Sequence, residues 1–240
     1  MNKKTGTTII TDIRNFTGLF EKFQYKDSDD FLIFIEKYYK IQSDIAKIIS
    51  TDHHMGTTGD GVLTIFLSEN SHIEGYAYLL GIHKALTKLC KEFGNNTSFG
   101  IGADYGSVWE IGKGKLNTYV GSVINRSSRI ETNTKLFGNT QASIGFHLYN
   151  KLIEHFHPLA YDIMKKSNNY DTLLVNNPEV VLISKELMLF YIFEMELKGL
   201  EKPLPIFRLS ETMAANGTYW DVMEKLLDEK KVKKLKTILT

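Results

Sequence analysis

Ile9-Ile10-Thr11-Asp12-Ile13-Arg14-Asn15-Phe16-Thr17 is the stretch on which the fold turns. Thr7–Ile13 is β-branched and apolar, so it reads as a buried strand that stops on an acidic residue and turns into a helix. A carboxylate there is placed to hold a hard cation, because Mg²⁺ takes one or two carboxylates and fills its other positions with water and substrate phosphates. The backbone N–H groups of residues 13–17 would face an anion at the start of the helix. The plainer reading is that Asp12 only caps that helix.

Outward from this stretch the pattern alternates. Phe31, Phe34, Ile35, Tyr38, Ile41, Ile45 and Ile48 recur at three- and four-residue steps, which predicts a helix over 31–49 with one apolar face. His53–Thr58 and Val62–Leu67 flank Gly59-Asp60-Gly61, a hairpin signal. A helix is expected over 72–93. Ser98–Ala103 and Ser107–Ile111 read as two strands separated by Asp104, Tyr105 and Gly106. Leu116–Val120 is strand-like, and a third helix is expected over 123–136. Residues 157–186 break the rhythm and read as an insertion. Strand pattern returns at Leu189–Leu197 and Leu204–Leu209, and a Lys-rich amphipathic helix is expected over 219–238. This order predicts an α+β fold, a mostly antiparallel sheet covered by helices. One domain would span 1–210, with residues 211–240 forming a C-terminal helix.

Composition narrows the function. With 29 Lys+Arg against 28 Asp+Glu the chain lacks the basic excess of a dedicated nucleic-acid binder. No apolar run is long enough to span a bilayer, and the apolar part of the first ten residues is too short for a signal peptide. Cys90 is the single cysteine, which excludes a disulfide framework and a Cys-rich zinc site. A soluble cytoplasmic protein is expected. Cys90, with Leu86 and Leu89, reads as helix core. His53 and His54 lack a third ligand at zinc spacing, and the run Glu229–Lys236 reads as a solvated face.

Two further motifs carry chemistry. Asp60 sits at a hairpin tip, where a type I′ turn alone would account for it. If the first strand lies beside this hairpin, however, two carboxylates converge as two-metal phosphoryl transfer requires. Asn125 and Arg129, four residues apart, project from one helix face, and the planar fork of Arg suits phosphate charge. A solvated helix face is the alternative.

These segments, in this order, together with Glu196–Phe207, resemble the class III nucleotidyl cyclases, whose fold is of the ferredoxin-like, palm type. The resemblance covers residues 5–156 and 188–210. It implies that Asp12 and Asp60 hold two Mg²⁺ or Mn²⁺ ions, with the carbonyl of Ile13 completing the site. It also implies that Asn15, Phe16 and Thr17 form the phosphate-binding turn, Asn125 orients the ribose, Arg129 stabilises the transition state, and Lys198 holds the terminal phosphates. Family members convert a nucleoside triphosphate to a 3′,5′-cyclic nucleotide and pyrophosphate at sites shared between two catalytic domains. A homodimer is therefore expected.

The departures concern the base. Purine-specific members carry a base-reading Lys or Glu where this sequence has Gly56, and the second base-reading position is Thr118. Met55, Gly56 and Thr118 are expected to line the base pocket. Thr57–Gly61 and Gly102–Gly106 resemble the pyrimidine cyclases of Pycsar anti-phage systems, whose cyclic UMP or cyclic CMP activates a separate effector. An atypical adenylyl cyclase and a catalytically inactive nucleotide-binding module are the alternatives. A diguanylate-cyclase-like enzyme would share the two-metal logic without explaining the Asn125/Arg129 helix.

Overall fold

The computed structural model describes residues 2–24, 29–93, 97–112, 118–134, 140–166, 186–196, 203–210 and 218–239. Its strands are β1 (Asn2–Ile13), β2 (His53–Thr57), β3 (Gly61–Phe66), β4 (Phe99–Ile111), β5 (Thr118–Val120), β6 (Gln141–Gly145), β7 (Leu189–Met195) and β8 (Leu204–Leu209). The helices are α1 (Phe16–Gln24), α2 (Asp30–Ile49), α3 (Ser71–Glu92), α4 (Ser122–Thr134), α5 (Phe146–Phe156), α6 (Pro158–Lys166), α7 (Thr218–Leu226) and α8 (Glu229–Leu239).

One sheet organises the molecule, in the order β2-β3-β1-β4-β6-β8-β7, with β5 paired to the far end of β4. Every pairing is antiparallel except β4 with β6. The α+β expectation holds. Alternation along β1 sorts the two faces. Thr11 hydrogen-bonds Tyr38 and Gln42 of α2, and Thr7 packs against Gly75 of α3. Thr8 faces the other way and meets Ser127 of α4. Helices α2 and α3 therefore cover one face, and α4 covers the other.

Beneath Asp12 the α2–α3 side is braced by a buried polar network. Thr11 Oγ1 lies 2.9 Å from Tyr38 Oη and 2.8 Å from Gln42 Oε1, and Tyr78 Oη lies 3.1 Å from Thr64 Oγ1. Each such bond contributes about 1 kcal/mol net, and removing one partner strands the other in a dry core at about 1–3 kcal/mol.

Three expectations are corrected. Residues 98–111 do not form two strands around a turn: β4 runs unbroken through Asp104, Tyr105 and Gly106, paired to β1 from Phe99 to Glu110. The C-terminal segment is two helices, because Asp228 accepts a hydrogen bond from Lys231 N and starts α8 afresh. Both pack on α2 or α3, with Met223, Leu235 and Leu239 buried in the main core. Strand β6 and helix α5 were not anticipated as elements, although all five residues of β6 are buried. Within 157–186, Pro158–Lys166 is helical, and residues 167–185 lie outside the described residues.

Candidate active site

The turn that follows β1 is set by backbone geometry. Arg14 N donates to Ser98 O at 2.9 Å, which carries the chain past the end of β4. Asn15 then takes φ 56°, a left-handed conformation that Asn tolerates better than most residues. Its carbonyl accepts the first helical bond, from Leu19 N at 3.0 Å. Its side chain lies over the first turn of α1, where a Cβ on Gly18 would stand 2.7 Å from Asn15 Oδ1. Phe16 packs on Phe31 with ring centroids 5.6 Å apart, anchoring the helix start to α2.

The register of β1 with β3 places Asp12 opposite Gly61, the residue after Asp60. The hairpin tip is closed by Thr58 N donating to Gly61 O at 2.9 Å. Gly59 has φ 81° while Asp60 does not take a positive φ, so the turn is not of the expected I′ type, which needs both. The Tyr39 hydroxyl donates to the Gly59 carbonyl and ties the tip to α2.

The outcome is one open cavity of about 410 Å³ lined by Asp12, Ile13, Arg14, Asn15, Phe16, Thr17 and Asp60. Its lining brings the two carboxylates together with the first residues of α1. Among the described residues no cluster of three or more His, Cys, Asp or Glu could hold a metal ion by itself. Two carboxylates beside an open cavity suit a hard cation that draws its remaining ligands from phosphates and water. The donor set fits Mg²⁺ or Mn²⁺.

Arg14 is a lining residue that sequence reasoning passed over. Its Nη2 donates to Thr134 Oγ1 of α4 at 2.9 Å. Half-burial lowers its pKa, while the charges of Glu131 and Asp12 pull the other way. Arg14 stands in the quoted stretch, but nothing in the spacing distinguishes it from a solvated arginine.

Helix α4 buries Val123, Ser127, Ile130, Glu131 and Thr134 against the sheet. It approaches so closely that Cβ atoms on Gly100 and Gly102 would fall 2.0 Å from Glu131 Oε1 and 2.2 Å from Glu131 N. Asn125 is exposed and Arg129 half-buried, one turn apart on the flank of the helix. Neither lines the cavity.

Met55, Gly56 and Thr118 do not line it either. Met55 packs toward the core, so the adjacent Gly56 belongs to the opposite face of β2. On that face the His54 imidazole leans toward Gly56, with Nε2 3.8 Å from where a Gly56 Cβ would stand. Its ring lies 4.8 Å from that of Tyr119, the neighbour of exposed Thr118. Burial, then the proximity of His53, lowers the pKa of His54. Lys198 lies outside the described residues.

No protein-family model matches the sequence, and no curated protein matches it. Solved structures do. The adenylyl cyclase CyaB from P. aeruginosa is 16% identical with a TM-score of 0.61, over 88% of this chain and 95% of that one. The guanylate cyclase domain of RhGC from Catenaria anguillulae, in complex with GTP, is 17% identical with a TM-score of 0.59, over 88% and 98%. A bacterial light-regulated adenylyl cyclase is 15% identical with a TM-score of 0.60, over 95% and 100%. Sheet order, helix placement and these matches together give the chain the fold of the class III cyclase catalytic domains.

Proposed function

We propose that the protein is a nucleotidyl cyclase that converts a nucleoside triphosphate to a 3′,5′-cyclic nucleotide and pyrophosphate, acting as a two-fold homodimer. One observation carries the reading. Asp12 and Asp60 meet the N-terminus of α1 at a single cavity, while Asn125 and Arg129 stand outside it on the flank of α4. Each chain thus carries two sets of residues that do not line one cavity together. A two-fold axis, which pairs every surface with its copy, completes both at once.

In the assembled site the amides at the start of α1 and the turn of Asn15, Phe16 and Thr17 cradle the β- and γ-phosphates. Asp12, Asp60 and the Ile13 carbonyl would hold two Mg²⁺ or Mn²⁺ ions, which supply neutralisation of triphosphate charge and acidification of the ribose hydroxyl. Asn125 from the partner fixes the ribose so that its 3′-oxygen lies in line with the α-phosphorus. That oxygen bonds to phosphorus, the bridge to the β-phosphate breaks, and the hydroxyl proton leaves with solvent. Arg129 spreads its planar fork over the charge that develops on the α-phosphate. Lys198 holds the terminal phosphates.

The base is proposed to be a pyrimidine, so that UTP or CTP yields cyclic UMP or cyclic CMP. Support comes from Gly56, which offers no side chain to a purine edge, and from the His54 ring that leans toward the space above it. The resemblance to Pycsar cyclases extends the proposal to signalling in anti-phage defence through a separate effector protein. Incubation with each of ATP, GTP, CTP and UTP plus Mn²⁺, with products identified by mass, tests the reading. A cyclic pyrimidine nucleotide is expected. Absence of any cyclic product from all four overturns the cyclase assignment, and a cyclic purine as main product overturns the base preference alone. Mixing Asp12→Ala with Arg129→Ala, each inactive alone, is expected to restore partial turnover. A dead mixture with demonstrated subunit exchange refutes the shared site.

A further inference from the structure

Asp104 sits in the middle of β4 and is fully buried. Strand interiors disfavour aspartate, and an enclosed carboxylate is costly unless its charge is paired and hydrogen-bonded. Here it is both. Asp104 Oδ2 accepts from Arg126 Nε at 2.5 Å and from His147 Nδ1 at 3.2 Å, and Oδ1 accepts from the backbone N–H of Leu148 at 3.1 Å. Arg126 Nη2 also donates to the Tyr105 carbonyl at 3.0 Å, and Nη1 to Ser122 Oγ at 3.2 Å. Burial alone would raise the pKa of Asp104, but the hydrogen bond from His147 and the charge of Arg126 outweigh it and hold it below the ordinary value.

Space has been cleared for this pair. A Cβ on Gly145 would stand 2.8 Å from the Asp104 carboxyl carbon, and one on Gly106 would stand 2.9 Å from Arg126 Nη2. The pair also sits on the functional helix. Arg126 follows Asn125 directly and precedes Arg129 by three residues, and its side chain turns inward while theirs lie on the flank. A second tie, Ser127 Oγ to the Thr8 carbonyl at 3.0 Å, holds the next residue of α4 to β1. Together the two bonds define both the rotation of α4 about its axis and its height along the sheet.

We propose that Asp104 is a positioning residue for cyclisation, which through Arg126 sets the aim of Asn125 and Arg129 into the partner's cavity. The proposal rests on the cyclase reading. Asp104 touches neither nucleotide nor metal ion, and its effect reaches the reaction only through α4. The same carboxylate receives the N-terminus of α5, so β4, α4 and α5 move as one body.

Asp104→Asn keeps the shape and removes the charge. Its kcat is expected to fall about 10- to 100-fold, the cost of misaiming reacting groups by an ångström or less. KM is expected to stay within about threefold, because the phosphates are held by the other half-site. Arg126→Met, which keeps the aliphatic stem and loses the fork, is expected to show the same split and serves if Asp104→Asn does not fold. Subunit mixing separates positioning from general damage. Mixed with Asp12→Ala, the Asp104→Asn chain contributes its intact cavity to an intact α4, and one site per pair regains the wild-type rate. Mixed with Arg129→Ala, it contributes its own α4 and stays slow. Equal rates with both partners, or a wild-type kcat in both variants, overturns the proposal. A wild-type protein that makes no cyclic nucleotide is a different failure, that of the cyclase reading, and it is visible before any substitution is made.

Discussion

Gly102→Ala adds one methyl group between β4 and α4, and the structure says what that group meets. The new Cβ would lie 2.2 Å from Glu131 N and 2.3 Å from Ser127 O, both backbone atoms of α4. Neither is the end of a flexible side chain, so the helix itself must retreat. Ordinary contact begins at 3.4 Å, which sets the retreat at about 1 Å. Overpacking of this kind costs about 2 kcal/mol, and for a chain of this size the expected fall in Tm is about 4–8 °C. The larger effect is on turnover. Asn125 and Arg129 ride on the displaced helix, and a misplacement of about 1 Å lowers a rate about 100-fold. Thermal denaturation by circular dichroism and steady-state kinetics on the cyclised nucleotide read the two effects separately. Gly56→Ala is the steric control, since its Cβ would meet nothing nearer than His54 Nε2 at 3.8 Å. Its Tm is expected to stay within about 2 °C of wild type. A Gly102→Ala protein with wild-type Tm and wild-type kcat refutes the account of how α4 is seated.

Three further outcomes are expected. Asp60→Ala lowers turnover about 1,000-fold, the several kcal/mol that a metal-held phosphate contributes, with Tm little changed because the residue sits at a hairpin tip; a soluble variant with near wild-type activity refutes its role. Burial holds the pKa of His83 down to about 4 against 6.5 in the open chain, the backbone bond with Thr140 opposing it. The unfolded chain therefore binds the extra proton between those values, and stability, complete above pH 6.5, falls as pH drops toward 4 by about 3 kcal/mol. Tm measured across this range is expected to slope less in His83→Gln, and an identical slope counts against the assignment. UTP or CTP is expected to show the highest kcat/KM, and Gly56→Lys is not expected to yield an efficient adenylyl cyclase, since one added donor does not reshape a pocket. A kcat/KM for ATP above both pyrimidine values in the wild type reverses this.

Periodicity made most of the fold legible. The face of α2, the β2–β3 hairpin and β1 are written in local pattern, and Asp12 and Asp60 follow because pairing register brings strand end and hairpin tip together. What stayed illegible depends on distant partners. Asp104-Tyr105-Gly106 has turn chemistry, yet it stays in a strand because Arg126, 22 residues on, and His147, 43 residues on, satisfy the carboxylate. Strand β6 is only five residues long and buries its polar positions Gln141 and Ser143 along with Ala142 and Ile144, so its residue types do not mark it as a core strand. The break before α8 could have been read, since Asp228 is a good cap three residues before Lys231. In the site, only the family resemblance groups Met55, Gly56 and Thr118 as a base pocket, and nothing in their residue types marks them. Side-chain alternation on β2 sends Met55 and Gly56 to opposite faces.

The C-terminal helices have a consequence for synthesis. Helices α7 and α8 close over α2 and α3, which end at residues 49 and 92, and Leu235 and Leu239 complete that core. Roughly 150 residues separate the end of α3 from its final cover, and at about 5–20 residues per second the gap lasts about 7–30 s. For that interval a nascent chain with most of its sheet already encoded carries an open apolar surface. Helix α8 seals two long helices that left the ribosome well before it, so the apolar surface stays open until synthesis has passed α8.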